Sequence, residues 1–146
     1  MPASRVSAAS PFSYLILRVV PSVERGECFN VGVVLFCRQK GFLGGRVALD
    51  RGLLAALAPD VPPVEVEEHL AALIRVAEGA PDAGPIAALP QSERFGWLAA
   101  PSSTIVQPSP VHTGLSADPA ETLDGLLHRL VGPTGLRNVT NPGGTP

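Results

Sequence analysis

Lysine is nearly missing from this chain: it occurs once, at Lys40, and the other basic residues are arginines spread singly from Arg5 to Arg137. A dedicated nucleic-acid module clusters Lys and Arg, because phosphate neutralisation supplies most of its affinity. With a formal net charge of −2 and a pI of about 5.9, no nucleic-acid partner is expected. The lack of lysine amid abundant Ala, Gly, Pro and Arg is the mark of a GC-rich bacterial coding sequence. Cysteine occurs twice, at Cys28 and Cys37, too sparsely for a disulfide framework, and two reduced thiols in a cytoplasmic protein are the simplest account. There is no apolar run of about 18 residues, and no basic segment leading into an apolar one, so neither a membrane span nor secretion is expected.

Catalytic signatures are also lacking. His69, His112 and His128 lie far apart, and no Cys-x-x-Cys or His-Glu-x-x-His spacing exists, so no metal site is assigned. Gly41 to Gly45 lacks the Lys-Ser/Thr ending of a phosphate loop, and no Gly-x-Ser-x-Gly elbow occurs. No catalytic residue and no cofactor follow from the sequence.

What is present reads as one domain. The 146 residues are 45% hydrophobic and 16% charged, a globular balance at a length where a chain buries about two-thirds of its unfolded surface. Residues 1–11 and 132–146 are expected as flexible ends, the latter with four Gly and three Pro, leaving 12–131 as the domain. Tyr14 to Val20 is β-branched and aromatic and predicts a strand stopped by Pro21. Val31 to Cys37 is almost wholly apolar, which predicts a central strand covered on both faces. Arg38 to Gly41 is a turn, and Phe42 to Leu49 returns as a third strand, giving a meander.

Helices follow. Asp50 can cap a short one through Leu57. A longer one is expected from Val64 to Glu78, with Val66, Leu70, Leu73, Ile74 and Ala77 at helical spacing. Ser92 can cap a short turn through Phe95 and Trp97. Ser102 to Val111, interrupted by Pro108 and Pro110, reads as an edge strand at best. Asp118-Pro119-Ala120-Glu121 carries the marks of an N-cap and capping box before Leu123, Leu126, Leu127 and Leu130. Strands first and helices after is the α+β order. The expected fold is a small, mainly antiparallel sheet covered by two amphipathic helices.

Candidate site residues concentrate in Glu24-Arg25-Gly26-Glu27-Cys28-Phe29-Asn30. Arg25 can hold an anion bidentately, Glu27 can act as base or positioning group, and Asn30 can hydrogen-bond a ligand. The same residues equally describe a solvated connection in which Arg25 pairs with a neighbouring acid and Asn30 caps backbone. Cys28 with His112 as base would make a nucleophile, against the simpler account of a packed thiol. Ser102 to Thr113, with Arg94 nearby in sequence, can line a pocket or satisfy its own backbone.

Tyr14 to Arg18, Arg25-Gly26-Glu27 and Asn30 to Phe36 together resemble the opening signature of a bacterial family of uncharacterised proteins, domain of unknown function three-zero-three-seven. Arg94-Phe95, the Gln107-Pro108-Ser109 run and Asp118-Pro119 before Leu123 are similar to later parts of that family. The resemblance implies signature positions at Arg25, Gly26, Glu27, Asn30 and Gly32. By genomic association, it also implies a HipA-like kinase as partner. The expected function is an accessory or binding protein acting through such a partner, with Glu24, Arg25, Glu27, Asn30, Arg94 and His112 as candidate binding residues. The alternative is a small enzyme or ligand-binding domain for an anionic substrate.

Overall fold

The computed structural model describes residues 9–102, 104–132 and 139–140. Most of the two expected flexible ends lies outside these residues.

Tyr14 to Val20 forms the middle of a longer strand, β1 (Ser10–Ser22). β2 (Glu27–Cys37) also begins earlier than its apolar core predicts, taking in Glu27 to Asn30. β1 continues past Pro21 because its pairing with β2 is irregular between Val19 and Ser22, where a missing N–H costs little. β3 (Phe42–Val47) completes the antiparallel meander.

Four helices follow or alternate with the remaining strands: α1 (Arg51–Leu57), α2 (Pro63–Glu78), α3 (Gln91–Ala99) and α4 (Pro119–Leu130). A single 3-10 turn at Ile86–Ala88 precedes α3. The Asp50 carboxylate accepts from the Leu53 N–H at 3.0 Å, capping α1 as its sequence predicts. Asp118 likewise accepts from Glu121 N–H at 3.2 Å. The Asp118 N–H donates to Ser116 Oγ at 3.1 Å, so a serine supplied by the preceding strand takes the place a capping-box glutamate would fill.

The sheet runs β3-β2-β1, and the far side of β1 is divided between two short strands, β4 (Val106–Pro108) and β5 (His112–Ser116). β4 is the expected edge strand, shortened to three residues that end on Pro108. β5 has no alternating apolar pattern to announce it. It pairs with β1 from Ser10 to Tyr14, and Phe12 lies opposite Gly114, where a Cβ would meet the Phe12 ring at 2.7 Å. A last two-residue strand, β6 (Val139–Thr140), pairs with β2 at Cys28 and Phe29, within the segment expected as a flexible tail.

Both faces of the sheet are covered, as the apolar β2 requires. Leu15, Leu17, Val19, Phe29, Val31 and Val34 meet α1, α2 and α3 on one face. Phe12, Val33, Leu35 and Cys37 meet Leu123 and Leu126 of α4 on the other. Each fully buried Leu or Val contributes about 1.5–3 kcal/mol relative to an exposed one.

A bulge decides which residues face which layer. Leu17 pairs with Gly32 but Arg18 pairs with Asn30, so Val31 is an extra residue in β2. Phe29 and Val31 thereby join Val34 on the three-helix face, although strict alternation would separate them. Gly32 allows this: a Cβ there would lie 2.8 Å from the Arg46 carbonyl oxygen and 2.8 Å from Val47 Cγ1.

Candidate functional site

The charged segment Glu24 to Asn30 divides into two parts with different tasks. Glu24, Arg25 and Gly26 lie in the turn between β1 and β2, where Gly26 takes φ 67° and its N–H donates to Val23 O at 3.1 Å. The Arg25 guanidinium donates to Glu27 Oε1 at 2.9 Å, with Arg25 66% and Glu27 29% exposed. An ion pair this exposed is worth about 0–1 kcal/mol. It engages the arginine locally, as the solvated-connection reading expects. Glu24 is exposed at the same tip, beside an exposed Val23.

Asn30 is half-buried on β2 and is engaged by the fold itself. Its Nδ2 donates to the Leu130 carbonyl at 3.0 Å, in the last turn of α4. Late carbonyls of a helix have no partner within it, so Asn30 supplies one from the sheet. Its cross-strand neighbour Arg18 donates Nη2 to Pro108 O at 3.2 Å and bridges β1 to β4.

Arg94 serves a comparable purpose elsewhere. It lies on α3 and donates through Nη1 to Leu89 O at 2.5 Å and through Nη2 to Ala77 O at 3.3 Å, joining α3 to the end of α2. Among the described residues no hydrogen bond connects it to Arg25, Glu27 or Asn30. His112 stacks on Tyr14 at 5.2 Å between ring centroids, at the exposed β5 edge.

Cys28 and His112 are held far apart. His112 pairs with Tyr14 and Phe29 pairs with Val19, five residues along β1, or about 17 Å at strand rise. Neither cysteine is in a disulfide. Cys37 is fully buried and donates to Pro11 O at 3.4 Å. Among the described residues, no cluster of three or more His, Cys, Asp or Glu side chains could hold a metal ion. No helix among them is long and apolar enough to cross a membrane.

The structure thus brings Arg25 and Glu27 together, and places Asn30, Arg94 and His112 at three other points. A concave surface forms instead between α2 and α3. A cleft of about 380 Å³ is lined by His69, Leu73, Trp97, Ser102 and Thr104 and reaches down to Leu17 of β1. A second, of about 540 Å³, shares His69, Leu73 and Trp97 and continues over Ala71 and Ala72. Trp97 stands where the two meet, 45% exposed. Ser102 and Thr104 do line this cleft, while also hydrogen-bonding each other at 2.9 Å, and Thr104 Oγ1 donates to Val106 O at 2.7 Å. Of the described polar residues of that segment, Ser102 and Thr104 line this cleft, while Gln107, His112 and Thr113 do not, nor does Arg94.

A signal for this surface exists in the sequence. Phe95 and Leu98 are the buried residues of α3, and the chain's one tryptophan lies off their stripe. An apolar side chain that large, turned from its own core, is what a contact surface displays.

The fold and its surface define a two-faced α+β protein with an apolar groove beside two helices and a charged β1–β2 hairpin. Residues 14–131 match the family described as "Protein of unknown function (DUF3037)", and the chain belongs to that family. No curated protein and no solved structure matches it.

Proposed function

We propose that this protein is a cytoplasmic accessory protein that works by binding a partner protein. The observation carrying this reading is Trp97, 45% exposed at the junction of two apolar clefts. Tryptophan is enriched at the energetic centres of protein interfaces, where its large surface gives affinity at small conformational cost. The groove around it is apolar; α2 and α3 form two of its walls, and Ala100, Pro101, Ser102, Thr104 and Val106 form a third.

The HipA-like kinase suggested by the family resemblance is the candidate partner. Co-expression of the chain with such a kinase encoded beside it should yield a complex that survives gel filtration at micromolar concentration. Trp97→Ala should weaken that complex at least tenfold while leaving the circular dichroism spectrum unchanged. Failure of the unaltered proteins to co-purify would sink the kinase assignment.

A further inference from the structure

The rim of the groove is acidic on balance: Glu68 and Asp82 line it beside a single arginine, Arg75. Glu65 and Glu68 are exposed on α2, and Glu93 is exposed in the first turn of α3. Residues four apart on a helix share a face. Glu65 therefore stands beside His69, Glu68 beside Ala72, and Glu93 beside Trp97. None of the three acids has an ion pair among the described residues. The basic residue that lines the groove, Arg75, is paired with Asp82. Arg94, on the same helix as Trp97, directs both terminal nitrogens to backbone carbonyls. Arg18, behind the floor residue Leu17, points to the opposite face of the sheet and donates to Pro108 O.

From this charge pattern we infer that the α2–α3 groove docks a basic amphipathic helix of a partner protein, its apolar face on Trp97 and Leu73 and its cations against Glu65, Glu68 and Glu93. The small side chains of Ala71 and Ala72 let a helix lie close to α2. An apolar floor with an acidic rim selects that chemistry over an acidic or uncharged segment, because charge across a rim governs orientation and rejection of wrong partners. The inference rests on the binding role proposed above and narrows its partner to one chemical kind.

Trp97 is the chain's only tryptophan, so its fluorescence reports occupancy directly. The probe is a designed tryptophan-free Leu/Lys amphipathic peptide of about four helical turns, compared with its Leu/Glu counterpart. The Leu/Lys peptide should shift Trp97 emission saturably, more weakly as salt is raised, and the Leu/Glu peptide should not. Glu68→Lys and Glu93→Lys should each weaken binding about tenfold, whereas Asp60→Lys, at an exposed turn, should leave it unchanged.

Equal responses to both peptides, no saturable response, or equal sensitivity to Asp60→Lys would overturn the inference. So would concentration-dependent dimerisation of the chain alone that Trp97→Ala abolishes, since the groove would then belong to a second copy. The two proposals fail separately. A kinase complex that withstands Glu68→Lys combined with Glu93→Lys removes the groove assignment and leaves the accessory role standing. Saturable, charge-selective peptide binding without kinase co-purification removes the kinase and leaves the groove.

Discussion

Asn30 and Leu130 stand 100 residues apart in sequence and are joined by one hydrogen bond of 3.0 Å from the Asn30 amide to the Leu130 carbonyl. The bond fastens the C-terminal end of α4 to the sheet at the foot of the β1–β2 hairpin. A residue type suited to holding a ligand is here occupied in holding the fold.

Asn30→Ala should therefore destabilise the protein by about 1–2 kcal/mol, from the lost bond and the carbonyl left without its donor. Asn30→Asp should cost more, because a carboxylate would face both that carbonyl and the negative end of α4. Urea unfolding followed by circular dichroism measures both. Equal stability of all three proteins would show that the bond contributes nothing.

Two glycine-to-alanine changes should act in opposite directions. At Gly32 the new Cβ would meet Arg46 O and Val47 Cγ1, each at 2.8 Å, and the β1–β2 bulge leaves no room to retreat. A loss of about 1–3 kcal/mol is expected. At Gly125, inside α4, nothing lies within 4 Å of the added methyl, so Gly125→Ala should gain about 0.5–1 kcal/mol through helix propensity. Thermal midpoints of the two variants should bracket that of the unaltered protein.

The two thiols should report different events. Cys28 is half-buried and Cys37 is completely enclosed between sheet and α4. With a disulfide-forming chromogenic reagent, Cys28 should react in the folded protein. Cys37 should react only at the rate of opening of the core. Rapid labelling of Cys37 in native buffer would contradict the packing of β2 against α4.

Arg51 joins α1 to α2 by donating twice to Glu67, at 2.9 and 2.6 Å. The hydrogen bond from Arg51, more than its charge alone, holds the Glu67 carboxyl below the usual glutamate value. A group whose folded pKa is depressed stabilises the fold above its unfolded pKa and loses that contribution as pH falls through the folded one. The Arg51–Glu67 contribution should accordingly be constant at neutral pH and fade only in acid, below the ordinary glutamate range. In Arg51→Ala the Glu67 carboxyl should titrate at higher pH, observable by side-chain carbonyl NMR. The change in neutral-pH stability should be small, since both side chains are exposed.

Much of the fold was legible locally. Asp50 and Asp118 cap the helices their positions announce, because a cap depends on residues only three apart. The periodic stripe of α2 correctly marks Val66, Leu70 and Ala77 as buried, but Val76 is also buried while Leu73 lies partly open in the groove. That difference depends on where α3 lies, and no pattern within α2 contains it. β5 stayed hidden because His112 to Ser116 pairs only when β1 and Phe12 are brought alongside.

The candidate site divides along the same line. Chain order and residue type by themselves determined an α+β protein with an apolar two-faced central strand, a charged hairpin tip and a small set of polar residues able to bind something. They did so because strand alternation, helix periodicity and capping act over a few residues. Only the tertiary structure decided that Arg25 pairs with Glu27, that Asn30 and Arg94 each serve a helix end, and that His112 and Cys28 lie well apart along β1. It also made a groove from His69, Leu73 and Trp97, residues of two helices whose separation in sequence says nothing of their distance. The sheet sets that arrangement, since α2 and α3 come together as their apolar stripes are buried against one face of it.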